Sequence, residues 1–161
     1  MINKMRITAT AALLAAPLFG MPLLTPGYGH EDHQHFSAGE PGDPKQPARV
    51  ISVKMFVEGQ QKLFAPPRIE VRRGEQIRFV LENEDVDDHE FVLATVAENQ
   101  SHAEHMKKFP DMPHDTPNAK HVRPLQGGEL LWKFTQPGEF EFACLISGHY
   151  EAGMHGKILV K

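Results

Sequence analysis

The chain has 161 residues, 17 Lys+Arg against 21 Asp+Glu, a formal net charge of −4 and a single cysteine. That length suits one domain. The acidic balance argues against a nucleic-acid partner, because phosphate binding needs clustered positive charge, and one cysteine excludes an internal disulfide.

Residues 1–29 begin with a short positive stretch at Lys4 and Arg6 and run on through the apolar "ITATAALLAAPLFGMPLLT" to the small residues Gly27 and Gly29. This is the layout of a secretory signal peptide. Pro17, Gly20 and Pro22 interrupt the apolar run and argue against a retained anchor. Cleavage is expected after Gly29, which makes His30 the new amino terminus. No later apolar run is long enough to span a bilayer. The sequence therefore predicts a periplasmic protein in a Gram-negative host, with no membrane association after cleavage.

Residues 30–47, "HEDHQHFSAGEPGDPKQP", are rich in His, Gly, Pro and charge and offer almost nothing to bury. They read as a flexible His-rich arm. The pattern changes at residue 48. "ARVISVKMFVE", "RIEVRR", "EQIRFVLEN", "HEFVLATV", "GELLWKFT", "GEFEFACL" and "GKILVK" make about seven short strands, most preceded by Gly or Pro turn signals. Short strands at this spacing predict an all-β sandwich or barrel. Residues 97–124 break the rhythm: they show no strand pattern, and "AENQSHAEHMKKF" predicts one short helix that Pro110, Pro113 and Pro117 would end. This long insertion is expected to cross one end of the sandwich.

The chemistry concentrates in "FACLISGHYEAGMHGK", residues 142–157. A lone thiol in an oxidising compartment is a liability unless it is buried or occupied. Cys144, His149 and Met154 lie between one strand and the last, in a loop long enough to bring all three side chains together. Thiolate, imidazole and thioether suit a copper ion that alternates between Cu(I) and Cu(II). Two His and one Cys in a trigonal plane, with a long axial Met, define the blue-copper type of site. His89, in "DDHEFVL" at the start of a strand expected beside that of Cys144, is the candidate second histidine.

The order C-x4-H-x4-M in a Gly-rich loop before a C-terminal strand, with an upstream histidine at a strand start, resembles the cupredoxins. "HEFVL" with "FACLISGHYEAGMHGKI" is closer still to the exported cupredoxins associated with bacterial copper tolerance, which also carry a His-rich arm after the signal peptide. The resemblance covers roughly residues 48–161. It implies a Greek-key, cupredoxin-like β-sandwich carrying one long, partly helical insertion, with one type 1 copper near one end and His89, Cys144, His149 and Met154 as its ligands. The sequence departs from several members at Glu90, where they have an asparagine that ties the two ligand loops together. Turned toward the site, Glu90 would favour Cu(II); turned to solvent, it would have little effect.

Most of the ten histidines lie outside this set. His30, His33 and His35 cluster on the arm and suit capture of Cu(II) or Zn(II). His102, His105 and Met106 would share one helix face, with Met112 and His114 following soon after. Both groups are candidates for additional, weaker copper binding, and equally for a solvated arm and for helix packing by Met106. His155, next to Met154, is a candidate partner contact. Ser147 precedes His149 by two residues, but no hydrolytic constellation emerges. Three readings follow: copper tolerance through copper binding and one-electron chemistry, including electron acceptance from Cu(I); a plain periplasmic electron carrier; and a non-redox copper buffer or chaperone. The density of histidines outside the main site favours the first. Copper ions and a transient redox protein are the expected partners, and the protein is expected to be a monomer.

Overall fold

Alternating side chains along the strands define two faces that must be covered. In β2 (Arg49–Glu58) Val53 and Met55 point inward, and in β5 (Gln76–Asn83) Ile77, Phe79 and Leu81 do the same. The computed structural model describes residues 35–109 and 116–161. The expected signal peptide, His30 and His33 of the arm, and Met112 and His114 of the insertion lie outside the described residues. Among those described, no helix is long and apolar enough to cross a membrane.

The remaining elements are β1 (Glu40–Pro41), β3 (Gln61–Ala65), β4 (Arg68–Val71), β6 (His89–Ala94), α1 (Val96–Lys108), β7 (Ala119–Val122), β8 (Gly127–Lys133), β9 (Gly138–Ala143) and β10 (His155–Val160). One sheet has the order β1-β8-β5-β2-β3 and the other β4-β10-β9-β6-β7. Pairing is parallel for β2 with β5 and for β4 with β10, and antiparallel elsewhere. This is the expected β-sandwich with one helix. Aromatic rings lock the sheets together: Phe64 meets Phe142 edge-on at 5.2 Å, and Phe79 lies 5.0 Å from Phe91. Such pairs add roughly 0.5–1.5 kcal/mol beyond their buried area.

Helix α1 forms where the sequence predicts it. Thr95 caps it, its side chain accepting from the Glu98 N–H while the Glu98 carboxylate accepts from the Thr95 N–H, a reciprocal capping box. Three strands were not expected. β7 lies inside the insertion read as strandless. It is a four-residue edge strand in which only Val122 is buried, so it carries too little apolar alternation to be seen. β3 is recruited by hairpin pairing with β2 and contributes one buried side chain, Phe64. β1 belongs to the stretch read as a flexible arm with almost nothing to bury. There Ala38 is fully buried, its carbonyl accepts from Trp132 Nε1 at 3.2 Å, and Phe36 packs edge-on against the Trp132 ring at 5.4 Å. The single tryptophan thus holds residues 36–41 onto the sandwich.

Candidate metal centre

β6 and β9 are antiparallel neighbours, with Val92 opposite Ala143. His89 begins β6, and Cys144 follows the last residue of β9, so both stand at the same end of the sheet. The chain then loops out and returns into β10. The Cys144 N–H donates to the Met154 carbonyl at 3.0 Å, closing the base of the loop, and the Met154 N–H donates to the His149 carbonyl at 3.1 Å. Gly148 and Gly153 turn the loop with φ of 85° and 100°, a region costly for other residues.

Three donor atoms converge. His89 Nδ1 and His149 Nδ1 are 3.2 Å apart, and Cys144 Sγ lies 3.3 Å from His149 Nδ1 and 3.9 Å from His89 Nδ1. Among the described residues these form the one group of three or more His, Cys, Asp or Glu side chains close enough to share an ion. Met154 is fully buried and belongs to the same core cluster as Cys144. His89 and Cys144 are also fully buried, while His149 is partly exposed.

Burial sets the protonation of these groups. It pushes the Cys144 thiol up to about 12, so the metal-free protein holds it as an inert thiol. Burial holds His149 down to about 4, with Lys62 and His89 adding to the effect. His89 is also lowered by burial, against a raising hydrogen bond from Asp85. Both imidazoles are therefore neutral near neutral pH, the form that ligates.

The orientation of His89 is fixed from behind. Its Nε2 hydrogen-bonds Asp85 Oδ2 at 3.0 Å, which leaves Nδ1 with the lone pair facing Cys144 and His149. Asp85 in turn accepts from Lys62 Nζ at 3.1 Å and, through Oδ1, from the Val86 N–H at 2.7 Å. Lys62 also meets Asp87 at 2.7 Å. Asn83 shapes this loop from below, donating to the Asp87 and Val122 carbonyls at 2.8 and 3.1 Å and accepting from the Asp85 N–H at 2.9 Å. Sequence reasoning missed Asp85, Lys62 and Asn83. The carboxylates of "ENEDVDD" just before His89 were the available signal for Asp85; Lys62 sits on the unexpected strand β3 and had none.

Glu90 takes neither orientation considered from the sequence. Its backbone N–H donates to Cys144 Sγ at 3.3 Å, the kind of contact that tunes a metal-bound thiolate. Strand alternation puts its side chain with Val92, on the face opposite Phe91 and Leu93. It is buried there, and Oε2 has no hydrogen-bond partner. A second buried carboxylate, Glu141, accepts from Tyr150 Oη at 3.3 Å and from Asn99 Nδ2 at 3.1 Å, tying α1 to the ligand loop. His155 is half-exposed and stacks on Tyr150 at 5.0 Å.

The accessory residues separate. Met106 packs with Val92, Ala103, Ala143 and Leu145 and so fastens α1 to the sheet, while His105 is exposed and its ring lies 4.9 Å from that of Phe109. His102 and His35 line one cavity with Glu98, where arm and helix meet. His121 is exposed on β7.

A thiol, two neutral imidazoles and a buried thioether at one end of a two-sheet sandwich fit a type 1 copper ion. Residues 51–161 match the family model for copper-binding proteins of the plastocyanin/azurin type, and the chain belongs to that family. Its cofactor is copper. The chain is 42% identical to the copper-resistant cuproprotein CopI of Rubrivivax gelatinosus, over 98% of this chain and 99% of that one. It is 34% identical to the copper-resistant cuproprotein CopI of Pseudomonas aeruginosa, over 92% and 97%. Among solved structures, auracyanin B superposes with a TM-score of 0.62 at 22% identity, covering 77% of this chain and 96% of that one, a likeness of fold.

Proposed function

We propose that the protein is exported to the periplasm and defends the cell against copper, by binding it at His89, Cys144, His149 and Met154 and by cycling it through one-electron chemistry. The observation that carries this reading is the Cys144–His89–His149 donor set, buried but for the edge of His149, in a chain similar, over almost its whole length, to proteins named for copper resistance. Copper supplies the one-electron couple. The chain supplies the rest: neutral imidazoles, a His89 ring held by Asp85, a sulfur that accepts from the Glu90 N–H, and a dry surround. A four-donor set leaves no position for a substrate on the ion, which suits outer-sphere transfer, and the partly exposed edge of His149 is the route outward. Partner contact is then small and transient.

A plain electron carrier is the second reading, favoured by that same closed site with its exposed histidine edge. Growth separates the two. In a strain lacking the gene, the wild-type protein should restore growth in elevated copper and Cys144→Ser should not. Full restoration by Cys144→Ser would contradict a defence role for this site.

A further inference from the structure

Among the described residues, Glu90 is the one buried carboxyl group with an unpartnered oxygen. It is 5% exposed and its Oε2 has no partner, a state that in native proteins calls for an explanation such as a bound water or ion. Directly opposite it across the β6–β7 pair stands His121, the register partner of Glu90. Opposed residues in an antiparallel pair have Cβ atoms about 4.5–5.5 Å apart on one face, close enough for their side chains to share a ligand. His121 is itself prepared: its Nε2 lies 3.1 Å from Asp88 Oδ1, which leaves Nδ1 as the ligating nitrogen. The same device, a carboxylate on Nε2 with Nδ1 turned to the ion, holds His89 through Asp85. His121 and Asp88 are half-exposed and form the mouth, with buried Glu90 at the base.

Resting on the reading of the main site as type 1 copper, we propose that Glu90 and His121, with Asp88 orienting His121, form a second copper site that takes substrate Cu(I) and passes its electron to the main site. The donor chemistry sets the direction. One carboxylate oxygen and one imidazole nitrogen favour Cu(II), whereas thiolate and thioether favour Cu(I). Cu(I) at Glu90 and His121 is thus placed to lose one electron, and Cu(II) at the thiolate site to gain it; no bond or proton is transferred. The route is short: the Glu90 side chain leads to its own backbone nitrogen, whose N–H donates to Cys144 Sγ at 3.3 Å. A one-electron acceptor protein then reoxidises the main site, and the product Cu(II) leaves past the exposed His121.

The test uses the full mature protein with its main site loaded with Cu(II). Zn(II) serves as the redox-inert probe of the second site and the thiolate-to-copper absorption band as the reporter, because an ion on Glu90 disturbs the N–H that bonds the sulfur. Zn(II) should shift the band saturably. Glu90→Gln should abolish the shift, and His121→Ala, which removes no ligand of the main site, should weaken Zn(II) at least tenfold with the copper content of the main site unchanged. Anaerobic Cu(I) should bleach the band at least tenfold more slowly in His121→Ala. A band that ignores Zn(II), or a shift that survives both substitutions and disappears with His35→Ala/His102→Ala, would overturn the proposal alone. A protein with no such band before zinc is added would overturn the type 1 reading and this proposal with it.

Discussion

Asp85 holds the Nε2 side of His89, and Lys62 holds Asp85. Removing that carboxylate leaves a buried ring nitrogen unpaired and the ring unoriented. Asp85→Ala should therefore lower copper affinity about 10–100-fold, measured by competition with a chelator of known affinity. Unchanged affinity would mean that Asp85 shapes the loop and nothing more. Met154 has a different weight. As a weak axial donor it contributes less than thiolate or imidazole, so Met154→Leu should keep its copper while its potential rises, because Cu(II) loses more than Cu(I) when the thioether goes. Protein-film voltammetry reads the shift, and complete copper loss would mean a different ligand set.

At the scale of elements, the insertion is tied down at its start by the Thr95–Glu98 capping box and along its length by Met106 and Asn99. Thr95→Ala should cost about 1 kcal/mol, read by denaturant unfolding; no loss would show that packing alone holds α1. Arg49 and Glu75, 2.7 Å apart, join the starts of β2 and β5. The hydrogen bond from Arg49 holds Glu75 below the ordinary carboxylate range. A depressed folded pKa means that the contribution is fully present above the unfolded value of Glu75 and is lost as pH falls through the folded one. Glu75→Gln should thus cost about 0.2–1 kcal/mol near neutral pH, as partly exposed pairs do, and the difference from wild type should vanish in acid. β5 and β10 were legible in the sequence because their buried side chains alternate with less buried ones, β2 because Val53 and Met55 alternate with polar residues, and β9 because Phe140 and Phe142 are both core. β7 was not, since Val122 is its one buried residue, and β3 was not, since it exists by pairing with β2. Convergence of His89, Cys144 and His149 was legible because Cys144 and His149 share one loop, "CLISGHYEAGM", and His89 begins the strand beside that of Cys144. Asp85, Lys62 and the burial of Glu90 depend on tertiary neighbours that no local pattern records.

Across the whole molecule, a stiff aromatic core supports one end that carries the donors, while the arm and the insertion bring histidines over other faces. Trp132 fastens residues 36–41, and the exposed His35 just before them lines a cavity with Glu98 and His102. Bonding of the buried Cys144 thiolate to Cu(II) would make its sulfur an intense reporter once copper replaces the proton. The most direct test of the account is therefore the visible absorption spectrum, with copper content, of the mature protein and of Cys144→Ser after loading with Cu(II). The wild-type protein should show an intense thiolate-to-Cu(II) charge-transfer band at a full equivalent of copper, and the variant should lack it. A band of equal intensity in Cys144→Ser, or none in the copper-loaded wild-type protein, would contradict the central claim that Cys144 binds the copper.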